Sequence, residues 1–124
     1  MQFQGNIIDL AKQNSNFRQT LSTNAHSQVV VMSLLPGEDI GEEVHDVDQI
    51  LVFIEGQGEA ILNKQTTKVG VNDLVVVPAG TTHNFKNTSA GLMKLYTVYA
   101  PAEHRDGTVH ATKAEAIADE EDHA

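Results

Sequence analysis

The chain has 124 residues, 40% of them apolar, and a formal net charge of −9, which fits one globular domain with a core of its own. It contains no cysteine, so disulfide frameworks, thiolate metal sites and cysteine nucleophiles are excluded. The acidic balance, with Asp119, Glu120, Glu121 and Asp122 adjacent near the end, argues against nucleic acid and anionic membrane surfaces and leaves a small molecule as the expected ligand.

The opening Met1-Gln2-Phe3-Gln4-Gly5-Asn6 lacks a basic start and an apolar run, so the expectation is a cytoplasmic protein without a secretory signal. Ile7 to Arg18 is weakly patterned and reads as a strand followed by a loop. Gln28 to Leu35 is a β-branched and apolar strand, ended by the turn signal Pro36-Gly37. Ile50 to Ile54 is a second run, closed by Gly56-Gln57-Gly58; Glu59 to Leu62 resumes it and Asn63-Lys64 breaks it. Leu74 to Val77 is a third, stopped by Pro78 and Gly80. Leu92 to Tyr99 alternates, which puts Tyr96 and Tyr99 on opposite faces of one strand. All these runs are too short to cross a bilayer as helices.

Short strands with regular turn punctuation predict an all-β barrel or sandwich. After Thr112 the helix formers Lys113 to Ala118 follow a capping residue, with Glu115 placed as in a capping box. They predict a short C-terminal helix that ends in a frayed acidic tail. The expected organisation is a barrel over residues 1–111, with a helix and tail over 112–124.

Four polar residues stand among these runs in positions that suit a metal. Glu43 and His45 are two apart in a segment that can be extended, where side chains at i and i+2 share a face. Gln49 follows Asp46-Val47-Asp48, where a turn fits, and His83 follows Pro78 to Thr82. Two imidazoles and a carboxylate with open positions opposite make the facial triad of non-haem iron oxygenases, and Gln49 would add a neutral oxygen. A plainer reading also stands: Glu42-Glu43 as a solvated loop, and His83 as a buried histidine satisfied by backbone.

The spacing of these residues resembles the cupin superfamily. Gly37, five residues, Glu43-x-His45, three residues, Gln49, six residues, Gly56 is similar to its first motif. Glu43 replaces the motif's first His, and Gln49 its Glu. Asn72, five residues, Pro78-x-Gly80, two residues, His83, three residues, Asn87 is similar to its second motif. Only the leading Gly differs, replaced by Asn72, which also tolerates a left-handed turn. Asn16-Phe17-Arg18, His26-Ser27-Gln28, Gly41 to His45, Asp48-Gln49, Tyr96 to His104 and Asp106 to His110 extend the resemblance to a group of small bacterial single-domain cupins. Members of that group are often labelled mannose-6-phosphate isomerase-like.

The resemblance implies a jelly-roll-like barrel. It implies one divalent ion (Fe, Mn, Ni or Zn) held by Glu43, His45, Gln49 and His83. It also implies a small polar molecule or sugar derivative as ligand, dioxygenase- or isomerase-type chemistry, and a homodimer joined through the N-terminal strand or an outer sheet face. A non-catalytic ligand-binding module is the other function compatible with it. Arg18, Lys94 and Arg105 are scattered and form no cluster for a sugar phosphate. His26 and Tyr96 are candidates to move a proton at the barrel mouth, with a surface histidine and core packing as their plainer readings. Asp48 is placed either to orient His45 or to serve as a turn residue. His104 and His110 are read as groups that close over the mouth, reach a neighbouring subunit or are solvated.

Overall fold

Strict alternation on the long strands builds two facing antiparallel sheets in the computed structural model, which describes residues 2–124. The elements are α1 (Ile7–Gln13), β1 (Arg18–Thr23), β2 (Gln28–Leu34), β3 (Asp48–Glu55), β4 (Gly58–Leu62), β5 (Gln65–Val69), β6 (Leu74–Val77), β7 (His83–Asn87), β8 (Met93–Ala100), β9 (Val109–His110) and α2 (Lys113–Ala118). The larger sheet has the order β6-β3-β8-β2-β1-β9 and the smaller β5-β4-β7. On β8, Met93, Leu95, Thr97 and Tyr99 are buried inward, and their neighbours on β3 and β2 are Phe53, Leu51 and Gln49 on one side and Leu34, Met32, Val30 and Gln28 on the other. The smaller sheet closes over them with Ala60, Val69 and Phe85. The Phe53 and Phe85 rings meet across the core at 6.0 Å. The expected barrel is therefore present. Among the described residues no helix is long and apolar enough to cross a membrane.

Two expectations about the ends are corrected. Ile7–Gln13 is a helix rather than a strand. The side-chain oxygen of Asn6 caps it by accepting from the Asp9 amide at 3.0 Å. Its buried Ala11 packs on Val31 and Ile54 outside the larger sheet, with Ile7, Leu21, Val52 and Tyr96 around it. Lys94 crosses to the helix C-terminus and donates to the Lys12 carbonyl at 2.5 Å, where a cation suits the helix dipole. At the other end Thr112 caps α2 as expected, but the tail after it does not fray. Asp122 is 5% exposed and accepts from Thr108 Oγ1 at 2.7 Å and the Arg105 amide at 3.1 Å.

The motif positions have backbone reasons. Gly56 has φ +86°, and a Cβ there would lie 2.6 Å from the Leu92 carbonyl oxygen, so the end of β3 tolerates only glycine. Asn72 has φ 71°, the left-handed conformation that its replacement of glycine requires.

Candidate metal centre

Backbone hydrogen bonds bring the two motif segments together. Residues 37–43 run antiparallel along the free edge of β7: Gly37 N donates to Asn87 O at 3.0 Å and Ile40 N to Phe85 O at 2.9 Å. Glu43 and His83 exchange both amide–carbonyl bonds at 2.9 Å, and Gly80 N donates to His45 O at 2.8 Å. Of the two readings of Asp48, the structure supports the turn: its carboxylate accepts from the Ala79 amide at 2.9 Å and so fixes the Pro78–Gly80 turn against β3.

This pairing puts one ligand atom from each of Glu43, His45 and His83 within 4.8 Å of one another. The His45 and His83 rings lie 4.9 Å apart at 72°. His83 Nδ1–H donates to the Thr81 carbonyl at 2.8 Å. That bond selects the tautomer whose Nε2 carries a lone pair, the arrangement that orients metal-binding histidines. The backbone-satisfied reading of His83 is thus correct for one nitrogen and leaves the other available. Burial holds His83 below the ordinary imidazole range, against the pull of the Thr81 carbonyl, so it is neutral at neutral pH, as a ligand must be. His45 is different. Burial alone would lower it, but the hydrogen bond and charge of Glu43 outweigh burial and raise it. Burial pushes Glu43 up, and His45, with help from Arg18, brings it below the usual carboxylate range. Glu43 and His45 therefore hold each other as an ion pair between Oε2 and Nε2.

Gln49 supplies the test of whether a metal fits. It is 3% exposed on the inner face of β3, beside Tyr99. Its Nε2 donates to Thr97 Oγ1 at 3.1 Å, while its Oε1 is buried without a partner. An orphaned buried acceptor costs about 1–3 kcal/mol, a cost removed if the oxygen binds a cation. One carboxylate, two imidazoles and an amide oxygen suit Fe, Mn, Ni or Zn.

A pocket of about 690 Å³ adjoins the centre, with Arg18, Glu43, His45, Glu103 and His104 in its wall and the C-terminal tail on its far side. Glu103 Oε1 lies 3.8 Å from His45 Nε2; it belongs to the Tyr96–His104 stretch that carries the resemblance, but nothing there marks it as a site residue. Tyr96 is not brought here, because it faces outward against α1. Tyr99 points inward instead, 2% exposed, with its ring 5.9 Å from that of His45. His26 is exposed in the β1–β2 connection and is outside the pocket wall.

His104 and His110 are buried rather than solvated. His104 Nδ1–H donates to Asp122 Oδ2 at 2.7 Å, and His104 Nε2 accepts from the Tyr99 hydroxyl at 3.3 Å. His110, Asp119 and Asp122 also cluster within ligand distance, but His110 already bonds Arg18 and Asp119. Burial, reinforced by Arg18, pushes His104 down to about 4 against the pull of Asp122. An unfolded histidine takes its proton near pH 6.5, whereas the folded one waits until about pH 4. The unfolded chain binds more protons in that window, so stability falls as pH drops through it, by up to about 3 kcal/mol from this group. Urea midpoints at pH 7 and pH 4.5 are expected to separate less in His104→Gln than in wild type; an equal separation would remove His104 from the account.

Residues 30–99 match the Cupin domain family model. The chain is similar to the uncharacterized protein YrkC of Bacillus subtilis, 46% identical over 123 residues, which is 94% of this chain and 66% of that protein. It thus spans just under two thirds of that relative's length. It superposes on a crystal structure of a Bacillus halodurans protein with TM-score 0.92 and 43% identity, covering 94% of this chain and 93% of the other. A shorter match, 42% identical over 55 residues, is to the acireductone dioxygenase of Parvibaculum lavamentivorans and covers 41% of this chain and 30% of that enzyme.

Proposed function

We propose, from the premise that this chain belongs to the cupin family, that it is a metal-dependent enzyme in which Glu43, His45, Gln49 and His83 hold one divalent cation beside a pocket for a small polar organic molecule. The observation that carries this reading is His83: buried, held neutral, tied at Nδ1 to Thr81, with Nε2 free beside Glu43 and His45. When bound, the ion supplies Lewis acidity toward a substrate oxygen, and redox capacity if it is iron or manganese. The chain's own residues do the rest. Thr81 and Thr97 orient His83 and Gln49. Glu103 faces His45 from the mouth and can accept or return a substrate proton. The tail residues line the pocket. The partial match to a dioxygenase supports oxygen-dependent chemistry over isomerisation.

The same reading includes a homodimer. Ile50, Leu74 and Val76 expose apolar side chains on the outer face of β3 and the edge strand β6, a patch that a second copy would cover.

Elemental analysis of protein purified without an affinity tag tests the proposal, followed by removal of metal and its return one ion at a time. About one divalent ion per chain, and turnover of a small organic substrate restored by one ion, is the expected outcome; sedimentation velocity of the same preparation is expected to give a dimer. Ligand-induced rises in melting temperature with no product under any ion would instead support a non-catalytic binding module.

A further inference from the structure

Arg18 opens β1 and lines the pocket beside Glu43 and His45 with only 5% of its surface exposed. Among the described residues no carboxylate lies within ion-pair distance of it, although its charge reaches Glu43. Nη1 donates to His110 Nδ1 at 3.2 Å, and His110 Nε2–H donates in turn to Asp119 Oδ2 at 3.1 Å, so the imidazole ring stands between the arginine and that acid. The Phe17 ring covers the guanidinium at 5.3 Å. Arg18 makes no ion pair among the described residues, its Nε is buried without a partner, and Nη2 makes no hydrogen bond. A guanidinium is always charged, and a buried charge held without a direct hydrogen-bonded counter-ion is unfavourable. Moreover, Nε and Nη2 form one edge of the guanidinium, the fork that receives a planar pair of oxygens. Nε itself is enclosed, so a pair of oxygens reaches this edge through Nη2 with a small shift of the surrounding side chains.

We propose that Arg18 is the anchor for a carboxylate, and that the pocket takes a small organic acid whose adjacent hydroxyl or carbonyl oxygen lies toward Glu43, His45 and His83. The inference rests on the metal-dependent reading above and names its substrate class. Charge selects a carboxylate over a phosphate. Arg18 is the sole lysine or arginine among the described residues of the pocket wall, which also carries the acids Glu43, Asp46, Glu103, Asp119, Glu120 and Asp122. A dianion there would meet one cation and several acids, whereas a monoanion is matched by one arginine.

Lactate, pyruvate, lactamide and inorganic phosphate make the test, titrated into zinc-loaded and metal-stripped full-length protein and followed by calorimetry and melting temperature. Lactate and lactamide differ only in carboxylate against amide. The expected result is that lactate and pyruvate bind at least tenfold more tightly than lactamide or phosphate. Arg18→Gln should lose that preference while retaining its zinc stoichiometry. Removing an unpaired buried charge should also leave its melting temperature unchanged or raised, whereas a structural ion-pairing role would lower it. Wild-type protein that binds lactate no better than lactamide overturns the proposal whether or not the variant folds, as does a folded variant that keeps the preference. The two readings fail separately. Zinc bound without a carboxylate preference overturns only the Arg18 assignment. An Arg18-dependent preference in protein that takes up no metal overturns only the metal centre.

Discussion

Replacing His83 with alanine is expected to weaken divalent-cation binding by at least about 100-fold, since even loss of a group that only orients a ligand costs about 10–100-fold. The substitution removes a neutral imidazole whose Nε2 is the available donor at the centre. Glu43 and His45 would remain, but they already satisfy each other, so a cation would have to separate an ion pair with one donor fewer. The fold should survive. The amide–carbonyl exchange between residues 43 and 83 is made by backbone and does not need the ring. The local loss is the hydrogen bond to Thr81, worth about 1 kcal/mol. Calorimetric titration with zinc or manganese, beside urea unfolding of the same variant, separates the two effects. Undiminished affinity in a folded His83→Ala protein would remove this residue from the centre.

The second large effect concerns stability. Asn87→Ala is expected to cost about 2–3 kcal/mol, the upper part of the range for a buried polar group left unsatisfied. Asn87 is fully buried. Its Nδ2 donates to the carbonyls of Leu34 and Leu35 at 3.1 Å and of Gly91 at 2.9 Å. Its Oδ1 accepts from the Ser89 amide at 2.9 Å and Ser89 Oγ at 2.6 Å. One side chain therefore ties the end of β2, the turn after it and the loop before β8 to the last residue of β7. Alanine removes all of these bonds; the Leu35 and Gly91 carbonyls keep the Glu38 amide and Ser89 Oγ as donors, so the loss falls most on the buried contact to Leu34. Asn87→Asp should not rescue, because it keeps the acceptor and loses both donors. Urea midpoints with unchanged slope measure the loss, and a decrease under about 1 kcal/mol would contradict the role given to this network.

Which parts of the molecule could be read from sequence follows from where each side chain's environment comes from. Ile50 to Ile54, Leu74 to Val77 and Leu92 to Tyr99 declare themselves because alternating or β-branched runs carry their own burial pattern. β5 does not: Gln65, Thr66, Thr67 and Lys68 are all exposed, so no alternation marks it. α1 is seven residues long, and one buried pair of turns is too little for a helical period to show.

The site divides in the same way. Motif spacing singles out Glu43, His45, Gln49 and His83, and the structure brings ligand atoms of Glu43, His45 and His83 within 4.8 Å of one another. Parity correctly put Tyr96 and Tyr99 on opposite faces, but period two alone does not say which face is inside, and the inward tyrosine is Tyr99. His26 stands among motif-like residues, yet the connection that carries it turns into solvent. Arg18 looked like one of several scattered cations. Its burial is created by His110 on β9 and by the tail around Asp119 and Asp122, about 90 residues later in the chain. Sequence neighbours give no sign of a charge buried by distant elements.

The central claim is that Glu43, His45 and His83 surround one divalent ion, with Gln49 completing the set. Anomalous diffraction at the absorption edge of zinc or manganese, from crystals grown with that metal, locates the ion directly against these side chains. The account predicts a single strong peak enclosed by the Glu43 carboxylate, the two imidazoles and the Gln49 amide oxygen. A peak elsewhere, or an empty centre with metal in excess, would contradict it.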